Sequence, residues 1–185
     1  MQLKAVSLRI EDDVLDHRWK GFPVLATGTT VSQFVANRPS LFDAGFSWPV
    51  ATLRASAIDH NIGVLASWCQ RWGISLAPHG KTTMAPALFA RQLVAGAWGI
   101  TAATPWHVRI YRAAGVSRVL LANELVDLAF AQWLAAELAA DPDFEFFCYV
   151  DSVRGVDELG DRLDAGWTAG SRPLAVLVEV GVEGG

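Results

Sequence analysis

From about residue 50 onward the chain alternates two kinds of segment, and this alternation limits its fold more than any other feature. Short apolar runs ("ISLAP", "WGITAAT", "RVLLAN", "FEFFCYV", "PLAVLVEV") are separated by stretches whose apolar residues recur at helical spacing. "RASAIDHNIGVLASWCQRW", for example, places Ile58, Ile62, Leu65 and Trp68 on one helical face. A glycine stands just before an apolar run at Gly73, Gly96, Gly115 and Gly166; glycine adopts the left-handed conformation that commonly ends a helix. Pro105 suits the first turn of the helix in "PWHVRIYRAAG". Five strands are predicted, near 74–78, 98–103, 118–122, 144–150 and 174–180. Apolar throughout and separated by helices, they are expected in a parallel sheet buried on both faces.

Two architectures meet this pattern. A doubly wound open sheet is complete with five strands, whereas a (β/α)8 barrel needs eight and about 250 residues. The chain stops in "VLVEVGVEGG", a strand running into a glycine-rich loop, at the end of the unit where such folds gather function. The expectation is therefore α/β: a partial (β/α)8 TIM-type barrel with about five βα units, truncated at the C-terminus and leaving an apolar sheet edge. Residues 1–48 lack the alternation and carry turn formers and the capping-type triplet Thr30-Val31-Ser32. They are expected as an N-terminal extension packing on the body formed by 49–185.

Composition narrows the function. A net charge of −4 and a pI near 5.5 argue against nucleic acid and anionic membranes as partners. The apolar stretch "VLLANELVDLAFAQWLAAELAA" is broken by Glu124, Asp127, Gln132 and Glu137, as in a strand plus an amphipathic helix. The N-terminus shows no secretory signal, and Cys69 and Cys148 sit apart within apolar runs as reduced core residues do. A soluble cytoplasmic protein is expected. The four histidines show no metal-ligand spacing. The tryptophans Trp68, Trp72, Trp98, Trp133 and Trp167 are expected in the core, with Trp106 at a rim where it walls a pocket.

The chemistry centres on "APHGKTTMAP", residues 77–86. Gly80-Lys81-Thr82 resembles the end of a phosphate loop, but that motif needs glycine at 75, where the chain has Ser75. Pro78, moreover, has no N–H to offer a phosphate. The other reading takes Lys81 as a covalent anchor. It lies just past the first strand, at the catalytic rim of a barrel, where partial desolvation would free its amine for Schiff-base chemistry. Gly80 would leave room beside it for a flat ring. If the chain is still extended there, His79 points to the same side as Lys81 and contacts that ring, or else it shapes the loop. Asn123 and Asp151 each follow a strand, where they either contact a ligand or, the commoner role, cap the next helix; Thr104 is placed similarly. Glu179, in the last strand, would need a partner if buried.

Pro78-His79-Gly80-Lys81-Thr82 matches the Pro-His-x-Lys-Thr loop of the fold-type III pyridoxal-phosphate enzymes. The context "PVATLRASAIDHNI", "RVLLANELV" and "VLVEVGVEGG" resembles the same group, in the branch that holds the D-threonine aldolases and D-serine dehydratases on the alanine-racemase barrel. The resemblance runs from about residue 48 onward. It implies that Lys81 forms the Schiff base with pyridoxal 5'-phosphate and that the reaction is a deamination or aldol cleavage of a D-serine- or D-threonine-type amino acid; His79 and Asn123, from their positions at the rim, are the further cofactor-binding candidates beside Lys81. An amino-acid racemase, or a non-catalytic pyridoxal-phosphate protein on the same barrel, is the alternative. The family often continues Lys-Thr-His-Lys, whereas this chain reads Lys81-Thr82-Thr83-Met84, which leaves the particular reaction open. A homodimer is implied, and any divalent metal would be held by residues outside this chain. So would the arginine and the phosphate loops of the family pattern, so this chain alone is expected to be weakly active or inactive.

Overall fold

The computed structural model describes residues 10–164 and 172–181, so Gly166 and Trp167 lie outside the described residues. The chain divides into two compact units, Leu8–His60 and the part from Asn61 onward.

The first unit is built of short pieces around aromatic rings. Phe22 lies 5.3 Å from Phe34 and 5.9 Å from Phe46, with Trp19 edge-on to it at 5.7 Å. Leu15 is buried and exchanges backbone hydrogen bonds with Gly28 and Thr29. The short helix α1 (Val31–Ala36) starts at Thr30, whose hydroxyl accepts from the Gln33 N–H while the Gln33 side chain accepts from the Thr30 N–H. That reciprocal capping box satisfies two otherwise orphaned donors.

In the second unit the expected alternation is present. Helix α2 (Ala55–Trp72) runs in from the first unit and is followed by α3 (Pro86–Val94), β1 (Ile100–Ala102), α4 (Pro105–Ala113), β2 (Arg118–Glu124), α5 (Leu128–Ala140), β3 (Glu145–Val150), α6 (Val153–Asp164) and β4 (Ala175–Val178). Gly73, Gly96 and Gly115 all have positive φ. After α2, α3 and α4 the two residues beyond the cap donate back to the last turn, as Gly115 N–H does to Arg112 and Val116 N–H to Tyr111. Three helices thus end in the same glycine-dependent motif, and the cap reading from sequence holds wherever it is described.

The four strands are parallel and lie in sequence order, β1-β2-β3-β4. Ile100, Val119 and Phe146 are in register on one face, as are Ala102, Leu121 and Cys148. These residues form a single core with Phe89 and Leu93 of α3, Val108 and Tyr111 of α4, Phe130 and Leu134 of α5, and Leu159 and Leu163 of α6. Each large side chain fully buried there contributes about 1.5–3 kcal/mol. Successive crossovers bring all four helices to the same face, whereas a doubly wound sheet reverses its order and places helices on both. The mixed α/β arrangement is that of a partial barrel-like fold.

Three expectations need correction. The segment 74–78 is not a buried strand: Ile74 is exposed and Leu76 half-buried, its Leu76 and Pro78 carbonyls accept from the Trp98 and Thr101 N–H groups, and the parallel bridge to β1, His79 to Thr101, is an isolated one just after it. It lies at the sheet edge and pairs on one side only. The sheet is not buried on both faces either; β2 and β3 alternate buried and half-buried residues, and β4 is exposed along its whole length. Apolar runs here mark one covered face and one open face. Finally, Trp68 and Trp72 are exposed. The inward stripe of α2 is Ile62, Ala66 and Cys69, which leaves Leu65 and Trp68 on its flank. Trp106 does wall a pocket, of about 410 Å3, with Arg109 and Trp133 on the outer side of α4 and α5.

Candidate functional site

Because the strands are parallel, their carboxyl ends form one rim. In order across the sheet this rim holds the turn after His79, then Ala103 and Thr104, Asn123, Asp151 and Glu179. The predicted residues Lys81, His79 and Asn123 therefore share an edge, with β1 between the lysine turn and Asn123.

The lysine turn is rooted in β1 by Thr101. Its N–H donates to the Pro78 carbonyl at 2.8 Å, its hydroxyl donates to the Ala77 carbonyl at 2.6 Å, and its carbonyl accepts from the Gly80 N–H at 2.9 Å. Thr101 is 3% exposed, the one buried polar residue among the described residues, and these bonds satisfy it. The chain then leaves the ladder. The Met84 N–H closes back onto the Gly80 carbonyl at 2.9 Å, enclosing Lys81, Thr82 and Thr83 in a single turn, and Met84 takes a left-handed φ of 46°. Lys81, Thr82 and Thr83 are exposed. The lysine amine thus stands in solvent at the tip of a turn, rather than partly desolvated as its position in the sequence implies.

Gly80 is buried, and the reason for glycine differs from the expectation. A Cβ there would lie 2.7 Å from the Tyr111 hydroxyl oxygen and 2.8 Å from Ile100 Cγ2. The missing side chain makes room for the Tyr111 ring, not for a flat ligand. Tyr111 is fully buried, edge-on to Phe89 at 4.9 Å and stacked on His107 at 6.2 Å. Burial pushes its phenol up to about 12, so it stays a proton donor, and its O–H donates to Met84 Sδ at 3.8 Å. Burial, with the Glu124 charge second, also pushes the Cys148 thiol up to about 12.

His79 is exposed and, being paired with Thr101, shares that residue's face of the sheet, opposite the face on which Gly80 meets Tyr111. Asn123 sits in an irregularity of β2, where Leu121 pairs with Cys148 but Glu124 with Tyr149. Its Oδ1 accepts from the Glu124 N–H at 3.0 Å and its Nδ2 donates to the Ala103 carbonyl at 3.5 Å. It caps no helix: Asp127 caps α5, accepting from the Phe130 N–H. Asp151 accepts from the Ser152 hydroxyl, and it is Ser152 that accepts from the Gly155 N–H in the first turn of α6. Thr104 does cap α4. Glu179 is exposed just past β4, so it needs no buried partner.

Two residues of this edge, Thr101 and Tyr111, were not singled out from the sequence. Thr101 had a faint signal, a hydroxyl inside the apolar run "WGITAAT"; Tyr111 had none, because its contact with Gly80 spans separate segments. A cavity of about 590 Å3 lies away from the rim, lined by Ile62, Leu65 and Cys69 of α2 with Ile74, Leu76 and Ala97. At the rim itself, the cavity beside Glu124, Tyr149 and Gly155 is only about 30 Å3, room for about one water.

No family model matches the chain. It is 30% identical to a D-threonine aldolase of Arthrobacter sp over 78 residues, which are 42% of this chain and 21% of that protein. Among solved structures it is similar to D-threonine aldolase from Filomicrobium marinum, with a TM-score of 0.63 and 28% identity over 73% of this chain and 35% of that one. D-threo-3-hydroxyaspartate dehydratase from Delftia sp. HT23 is more distant, at a TM-score of 0.44 and 22% identity over 71% of this chain and 43% of that one. The chain spans about a fifth of the curated relative and about a third of the first solved one. In sequence and in fold it resembles the D-threonine aldolase branch of the fold-type III pyridoxal-phosphate enzymes, as the lysine loop led us to expect.

Proposed function

We propose that this chain carries the lysine-bearing part of a pyridoxal-phosphate-dependent lyase acting on a D-amino acid, with Lys81 as the covalent attachment point. The observation that carries this reading is an exposed lysine on a turn rooted at the carboxyl edge of a parallel sheet, in a chain similar to D-threonine aldolase. The residues fit the cofactor as an anchor. A primary amine stands clear of the sheet, and the backbone on its N-terminal side is held by three bonds to Thr101.

Bound pyridoxal phosphate supplies an electron sink for negative charge at the substrate's α-carbon. The chain's own residues anchor and orient. Lys81 would bind the cofactor and, as a free amine, would accept a proton from the substrate. His79, on the same rim, would contact the cofactor's ring. Asn123 keeps one amide hydrogen and one acceptor lone pair beyond its two internal bonds, enough for one contact to the cofactor. The substrate is of the D-serine or D-threonine type; deamination is the preferred reading of the reaction and aldol cleavage the alternative. We read the protein as a cytoplasmic homodimer, a location that the two buried free cysteines support as fitting a reducing compartment.

The test is borohydride reduction of the chain incubated with pyridoxal phosphate, followed by peptide mass mapping. A phosphopyridoxyl mass on Lys81, lost in Lys81→Ala, is expected. Absence of any adduct at Lys81 overturns the reading. In the loaded protein, pyruvate and ammonia from D-serine mark deamination, and glycine and acetaldehyde from D-threonine mark aldol cleavage. An adduct without turnover of either would leave a carrier, not an enzyme.

A further inference from the structure

The turn that carries Lys81 meets the hydrophobic core at Ile100 and at Tyr111. Tyr111 comes from α4, a helix not adjacent to the turn in sequence, and meets both ends of it. Its ring fills the space where Gly80 would hold a Cβ, and its hydroxyl reaches the Met84 sulfur. The same two residues close the turn through the Met84 N–H and Gly80 carbonyl bond. Met84 also adopts a left-handed backbone that L-residues favour little, so an added contact on its side chain helps to hold that conformation. Tyr111 itself cannot shift easily, being wedged between Phe89 and His107 with no exposed surface.

We propose that Tyr111 is a positioning residue for Lys81: through Gly80 at one end and Met84 at the other it sets the orientation in which the lysine is presented at the rim. The inference rests on reading Lys81 as the attachment point. Thr101 holds the strand that leads into the turn, and Tyr111 holds the turn itself, so the two sides of Lys81 are fixed by different elements of the core. The Gly80-Lys81 pair that first suggested a phosphate loop is then a packing requirement: only glycine lets the backbone lie against a tyrosine.

Two variants, Tyr111→Phe and Met84→Leu, remove the hydroxyl–sulfur contact from either side while keeping the bulk of the side chain. Amide hydrogen exchange is followed without cofactor, and the affinity of Lys81 for pyridoxal phosphate is measured by quantifying the reduced adduct. Loss of one hydrogen bond of about 1 kcal/mol predicts about fivefold faster exchange at the Met84 N–H and about fivefold weaker adduct formation. The Leu120 and Phe147 amides should be unchanged, and the double variant should be no worse than either single one. If the Met84 amide and the adduct are both unchanged in Tyr111→Phe, the proposal fails while the reading of Lys81 stands. If exchange quickens but Lys81 of the unaltered chain takes up no pyridoxal phosphate, the tyrosine does hold the turn and the cofactor reading falls. Additive effects in the double variant would also overturn the proposal, since the two changes would then act through separate contacts.

Discussion

On one face of the sheet Ile100, Val119 and Phe146 lie side by side across three strands, almost wholly out of solvent; on the other, Leu120 and Phe147 are half-buried and Leu177 is exposed. The strands that carry them are equally apolar, so composition does not make the difference. The four helices return on one side only, and the covered face gains a core while the open face gains none. The rim borrows from both. Tyr111 supports the lysine turn from the covered side, while His79 and Thr101 belong to the other.

The largest test of this contrast is truncation. Leu121→Ala on the covered face should cost about 3 kcal/mol in urea unfolding, whereas Leu120→Ala, its neighbour on the open face, should cost about 1 kcal/mol. Equal losses would mean that the open face is packed after all. Gly80→Ala comes next. Its Cβ would press on Tyr111 and Ile100, and overpacking of this kind costs about 2 kcal/mol.

Alkaline titration reaches the same face. Cys148 and Tyr111 have ordinary values of 9.0 and 10.0, and in the fold each is pushed up to about 12. In the folded chain both groups hold their protons longer than in the unfolded chain. Their contribution to stability is full below about pH 9 and is lost as pH rises toward about 12. Unfolding midpoints measured between pH 8 and 11 should fall, and Cys148→Ala should delay the fall.

The smaller effects lie on the helices and the edge. Gly160 of α6 has nothing within 4 Å of a built Cβ, so Gly160→Ala should stabilise by about 0.5–1 kcal/mol, opposite in sign to Gly80→Ala. Leu177→Thr on the exposed edge strand should change stability by less than about 0.5 kcal/mol.

Much of this could be read from the residues in order. The helix ends at Gly73, Gly96 and Gly115 follow from backbone sterics that act locally, and the structure has them all. Thr104 as a cap is equally local. Asn123 and Asp151 show where this kind of reading stops. Both residue types suit a cap, but Asp127 and Ser152 stand closer to the first helical turn and take the role. The lysine loop was legible as a motif, but its support was not. Gly80 and Tyr111 are 31 positions apart, and nothing in either segment signals the other.

By itself, then, the sequence determined the alternation of strand and helix, the glycine-closed helix ends and the lysine loop, because periodicity, capping and turn preference depend on neighbours within a few residues. Only the tertiary structure decided which face of the sheet is covered, why Gly80 is glycine, and that Lys81 stands in solvent on a turn held by Thr101 and Tyr111. Those outcomes depend on which segments the parallel pairing brings together, and a chain folded by burial sets them through contacts far apart in sequence.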